Sequence, residues 1–229
     1  KIDDFIKNAI PMGENSHKTP VIEKSYMEKI YKNCNEKLIY LKERFKDYEY
    51  NDFCFDENYY KNLVKRLNVK SGSNQFLNSL GTLGGGNHYI EFNEDEETDY
   101  ISIHSGSRYL GQAICNYHQD RIKTNINYNK NDFLNNYLTN NECVEYLIDM
   151  IFAQEFASHN RKVMLIIILQ ELNILYKEEN SIETIHNYID FKRLILRKGA
   201  ISAENDELCI ISLNMKDGIF ICKGKGNEE

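Results

Sequence analysis

Four of the chain's twelve glycines, Gly81, Gly84, Gly85 and Gly86, fall within six residues and run straight into Asn87-His88-Tyr89-Ile90-Glu91. Glycine takes positive φ without strain and lets a backbone approach a neighbour closely, so this stretch has to turn. Two readings follow. It is a plain connection between a helix and a strand, or a loop whose bare N–H groups face an anion. His88, at its exit, offers an imidazole nitrogen to a metal. No GK[ST] follows, which excludes a Walker A loop, and the glycine spacing does not make a dinucleotide fingerprint.

A second loop, Ile101-Ser102-Ile103-His104-Ser105-Gly106-Ser107-Arg108, again sets a histidine where an apolar stretch meets small residues. Arg108 supplies a planar fork suited to phosphate oxygens. A third histidine, His186, stands in Thr184-Ile185-His186-Asn187-Tyr188, with the amide now following the imidazole. Histidines on separate loops are how a divalent site is assembled in three dimensions. His17, His118 and His159 adjoin no such loop and read as ordinary surface or core residues. Lys61, Lys65, Arg66 and Lys70 read as a solvated basic helix face. Arg197-Lys198 is a candidate phosphate contact, with a surface ion pair as the plainer reading, and 223–227 reads as a polar strand-end turn.

With 229 residues, 41% apolar and 28% charged, the chain can build one large core or two small ones. Its longest apolar run, 163–169, is too short to cross a bilayer. Nothing at Lys1-Ile2-Asp3-Asp4 resembles an export signal, so a cytoplasmic location with no membrane partner is expected. Six cysteines at irregular spacings, without a CxxC pair, predict reduced and mostly buried thiols. A net charge of −7 does not advertise a nucleic-acid binder, although a basic cleft can exist on an acidic protein.

Apolar spacing predicts helices within 21–48, around 59–67, from 109 to about 123 and from 143 to 176. A flexible turn is expected at 71–74, and a polar excursion over 125–141 with a short helix around Phe133. Strands are expected at 89–92, 100–103, 191–196, 207–213 and 219–222. No repeat or linker is visible.

The segments GTLGGGNHYIE and HSGSRYLG together resemble the RtcB family of RNA ligases, and these two motifs are highly specific. The similarity extends through the Ile10-Pro11-Met12-Gly13 turn, 146–150, 157–161, His186-Asn187 and Arg197-Lys198-Gly199-Ala200, nearly the whole chain. The resemblance implies an α+β fold, with mixed β-sheets around a metal cleft and helices outside, and one catalytic domain portion over 1–229. It implies a GTP- and manganese-dependent ligase acting in RNA repair or tRNA splicing. That ligase joins RNA 3′-phosphate or 2′,3′-cyclic phosphate ends to 5′-hydroxyl ends by guanylylation. By resemblance His88, His104 and His186 are ligands in a two-manganese site, Asn87, Glu91 and Asn187 line the guanylate site, and Arg108 binds phosphate.

Two departures qualify that reading. The family's DxGCG-like motif, which carries an aspartate and a cysteine ligand, and its SHGAGR-like motif, which carries the guanylylated histidine, are expected outside this chain. No catalytic nucleophile is therefore assigned within it, and the chain is expected to be inactive alone. Where the family reads IPGSMG, this chain has Ile211-Ser212-Leu213-Asn214-Met215-Lys216, and Ile219 replaces a second expected serine. A diverged, non-catalytic metal- or phosphate-binding protein is the alternative, and a generic metal-dependent phosphoesterase a third.

Overall fold

The computed structural model describes residues 1–47, 50, 52–68, 74–124, 128–214 and 216–226. The predicted turn residues Ser71, Gly72 and Ser73, together with Tyr48, Lys70, 125–127, Met215 and Asn227, lie outside the described residues. Among those described, the helices are α1 (Ile2–Ala9), α2 (Tyr26–Arg44), α3 (Glu57–Arg66), α4 (Asn74–Leu77), α5 (Arg108–Lys123) and α6 (Asn140–Glu171). The strands are β1 (Tyr89–Glu94), β2 (Asp99–His104), β3 (Tyr188–Asp190), β4 (Ile195–Arg197), β5 (Leu208–Asn214) and β6 (Gly218–Lys223).

Helix α6 buries consecutive positions such as Ile151, Phe152 and Ala153, so it is covered on more than one side rather than laid on a surface. One core gathers Ile148, Ile151, Phe152 and Phe156 of α6 with Ile30, Tyr31 and Leu38 of α2, Tyr59 and Leu63 of α3, and Leu110 and Ile114 of α5. Farther along α6, Met164 and Ile168 join Ile6, Ile10 and Leu83 in a second core. The β1–β2 hairpin pairs Ile90 with Ile103 and Phe92 with Ile101. Period-two alternation places those residues on one face, and Ile90, Ile101 and Ile103 pack on the second core. The opposite face carries Tyr89, Glu91 and His104.

Within the described residues the sheets are three antiparallel two-stranded hairpins, β1–β2, β3–β4 and β5–β6, not the mixed sheets expected. Each joins sequence neighbours through a short loop, which only antiparallel strands can do. Among the described residues, parallel pairing is limited to a single bridge, Met12 to Gly84.

Two expected elements are corrected. The single strand over 191–196 is instead a hairpin turn at 191–194 followed by the start of β4: Asp190 Oδ1 accepts from the Lys192 and Arg193 amides at 3.0 and 3.2 Å, and Leu194 takes a left-handed φ of 54°. Helix α6 stops at Glu171 instead of 176. Asn173 adopts φ 57°, Ile174 N donates to Leu169 O at 2.8 Å and Asn173 N to Gln170 O at 3.1 Å, a Schellman termination. Helix α1 was not anticipated. The short turn at Phe133–Asn135 was.

Candidate metal and phosphate site

Gly84 decides how the glycine loop meets its surroundings. Its φ is +99°, and a Cβ there would collide with the Arg108 guanidinium and with His88 Nδ1. Only glycine lets both side chains press against this backbone. Hydrogen bonds from Gly13 N to Gly84 O at 2.8 Å and from Leu83 N to Pro11 O at 2.9 Å fasten the 10–13 turn alongside.

Arg108 opens α5 with a left-handed φ of 55°, a conformation an arginine adopts only when its surroundings hold it. Nε donates to Thr82 Oγ1 at 3.0 Å and Nη2 to the Gly13 carbonyl at 2.6 Å. Two edges of the fork thus brace the loops, leaving the Nη1 side against Gly84.

The three expected histidines come together. The ring centroids of His88 and His104 are 5.6 Å apart, those of His104 and His186 5.3 Å. His104 Nε2 and His186 Nε2 face each other at 3.2 Å. Asn187, at φ 61°, accepts on Oδ1 from Gly199 N at 2.6 Å and Lys198 Nζ at 3.2 Å. That leaves its Nδ2 to donate to His186 Nδ1 at 2.9 Å. Burial, reinforced by Arg108 and His104, lowers the His88 imidazole below its ordinary value, with the Leu83 backbone opposing. Burial and then His186 lower His104, with a hydrogen bond to the Asn87 backbone opposing. Both rings are held neutral at pH 7, the state a metal requires.

The donor set fits a borderline divalent cation: imidazoles from three segments adjoin, and His88 Nδ1 is buried without a hydrogen-bond partner. The fit is chemical rather than preformed, since no group of three or more His, Cys, Asp or Glu among the described residues is arranged as a metal cage. Glu91 is half-buried on the same hairpin face as His104, because Tyr89 pairs with His104 and Glu91 with Ser102. The Asn87 side chain is exposed beside the site.

The other candidates resolve as structural. His17 meets the Gly81 carbonyl at 3.1 Å, His159 meets Asn33 and Tyr26 at 3.1 and 3.0 Å, and His118 meets Asp149 at 2.8 Å. Arg66 is not a solvated cation. It donates to fully buried Asp149 at 2.7 Å and pairs with Glu145, because an ionised carboxylate in a core needs a counter-charge. Arg197 pairs with Asp190 at 3.3 Å, the plainer of its two readings, whereas Lys198 touches the site through Asn187. Gly224 and Gly226 close the strand-end turn against 203–207. All six cysteines are free, but only Cys34 and Cys209 are buried, fewer than expected.

The sequence places Asn160 on the polar, small-residue face of the long helix and assigns it no role, but it is fully buried in α6 and hydrogen-bonded to both histidine loops. A polar residue inside an apolar helical run was the signal that could have found it.

No helix among the described residues is long and apolar enough to cross a membrane. The family model described as tRNA-splicing ligase RtcB matches residues 1–229. The RNA-splicing ligase RtcB of Escherichia coli K12 is 34% identical over 181 residues, which is 68% of this chain and 44% of the relative. A second relative, RNA-splicing ligase RtcB2 of Escherichia coli ATCC 25922, is 26% identical over 190 residues, 73% of this chain and 46% of its own. The chain thus spans less than half the length of these curated relatives. No solved structure matches.

Proposed function

Because the chain belongs to the tRNA-splicing ligase RtcB family, we propose that it forms part of an RNA ligase. In this reading the enzyme joins 3′-phosphate or 2′,3′-cyclic phosphate ends to 5′-hydroxyl ends, using GTP and manganese. The observation that carries the proposal is the convergence of His88, His104 and His186 beside Arg108, with His104 and His186 in Nε2 contact at 3.2 Å. Manganese held there would neutralise phosphoryl charge and align attacking and leaving oxygens. His88, His104 and His186 would hold it. Arg108, braced by Thr82 and Gly13, would supply the positive charge for a phosphate bound beside Gly84. Asn87 and Asn187, next in sequence to His88 and His186, and Glu91, on the hairpin face that carries His104, would receive the guanylate.

The test combines manganese, labelled GTP and an RNA with 3′-phosphate and 5′-hydroxyl ends. Full-length protein should form a protein–GMP adduct and joined RNA, and His104→Ala should abolish both. Absence of any adduct in the full-length protein would sink the ligase reading.

A non-catalytic metal- and phosphate-binding role is favoured by one specific feature. Asn214, at a position the resemblance assigns to a guanine-contacting serine, uses Oδ1 to accept from the Lys216 and Asp217 amides at 2.8 and 2.9 Å. Ile219 pairs with Ser212 across the hairpin. Metal binding without GTP binding would select this second role.

A further inference from the structure

Two consecutive side chains of α6 reach all three histidine-bearing segments. Asn160 Oδ1 accepts from Gly81 N at 2.8 Å and Thr82 N at 3.1 Å. Its Nδ2 donates to Thr82 O at 3.0 Å, and to Ser105 Oγ and Gly106 O, each at 3.1 Å. One buried amide therefore joins the loop that leads into His88 to the loop that leaves His104. Arg161 Nη1 donates to the Ser105 carbonyl at 2.7 Å, while Nε and Nη2 reach Glu183 Oε1 at 3.1 and 2.5 Å. Glu183 lies three residues ahead of His186, and Ser158 Oγ donates to its other oxygen at 2.8 Å.

This turn of α6 is itself held still. His159, between Ser158 and Asn160, is anchored to α2 through Asn33 and Tyr26, and Val163 and Met164 are buried just beyond. A fixed helix presenting two polar side chains to three loops is a ruler for the distances between those loops. An asparagine stapling a single loop to the helix would bond one segment, and this one bonds two.

We infer that Asn160 and Arg161 are positioning residues: they set the spacing of His88, His104 and His186, and so the affinity and geometry with which these rings take a divalent cation. The inference rests on the reading of that trio as metal ligands. Neither residue touches the ring nitrogens, and outer partners of this kind change metal affinity on the order of 10- to 100-fold when removed.

The experiment titrates Co2+ into full-length protein, following visible absorption, and records the ring 15N shifts of the histidines without metal. Asn160→Asp keeps an acceptor for Gly81 and Thr82 but removes both N–H donors, which serve Thr82 O, Ser105 Oγ and Gly106 O. Arg161→Gln cuts the link to Glu183, Arg161→Lys keeps the charge, and Lys162→Gln, whose parent pairs with Glu178 at 2.9 Å away from the rings, is the control. Asn160→Asp and Arg161→Gln should weaken Co2+ binding about 10- to 100-fold and shift its absorption, with Arg161→Lys recovering part and Lys162→Gln unchanged. Wild-type affinity and spectrum in both Asn160→Asp and Arg161→Gln would overturn the inference. Should Asn160→Asp fail to fold, Arg161→Gln decides alone. If wild-type protein takes no Co2+, the metal reading fails, and the metal-free shifts decide positioning: movement of the His104 and His186 signals in Arg161→Gln supports it, and unchanged signals reject it.

Discussion

Gly13 and Gly84 both lie in left-handed backbone, at φ 65° and 99°, yet their neighbourhoods differ. Nothing lies within 4 Å of a Cβ added at Gly13, whereas one added at Gly84 meets Arg108 and His88. Gly13→Ala should therefore cost only the backbone term, about 1–2 kcal/mol in a denaturant midpoint. Gly84→Ala should cost more and should also weaken divalent binding, because Arg108 and His88 must both move. Equal losses for the two variants would show that the crowding at Gly84 is relieved elsewhere. The same scale explains what motif reading could and could not see. His88, His104 and His186 were legible because glycine and small residues flank two of them and the family's motifs carry all three. Arg66 looked like any exposed lysine-rich helix face, because its partner Asp149 is 83 residues away.

At the scale of elements, caps and buried faces decide where each helix begins and ends. Asp56 accepts from Tyr59 N at 2.8 Å and starts α3, so Asp56→Ala should lose about 1 kcal/mol of stability. The Asn173 termination of α6 predicts that Asn173→Ala costs about 1–2 kcal/mol and Asn173→Gly is near neutral, both read from denaturant midpoints. An alanine as stable as the glycine would mean that α6 simply extends toward 176. The strongest elements were legible from period alone: α2, α5 and α6 each repeat apolar residues over three turns or more. The short ones were not. Helix α1 and the β3–β4 hairpin depend on a few local contacts, such as Asp190 accepting from 192 and 193, which periodicity does not register.

Across the whole molecule, α6 belongs to both cores, so its anchoring couples them. Burial lowers the His159 imidazole to about 4, below the ordinary value of about 6.5. The unfolded chain then binds the extra proton first as pH falls. Between pH 6.5 and about 4 stability declines as pH is lowered, by at most about 1.4 kcal/mol per unit from this group, and it is fully present above 6.5. Urea unfolding at pH 7.5, 6 and 5 should show that decline, and His159→Gln should flatten it. An unchanged slope in His159→Gln would assign the acid sensitivity to other groups.

The sequence by itself determined the glycine loop, the long helices, the α+β class and which three histidines to compare, because each follows from backbone permissiveness, apolar period or a contiguous motif. Only the tertiary structure decided what holds those histidines in register. Asn160 and Thr82 are separated by 78 residues, and the value of a buried amide depends on which groups face it. Nothing in the local chemistry of Asn160-Arg161 encodes that the Gly81 and Thr82 amides and the Ser105 carbonyl will be waiting there.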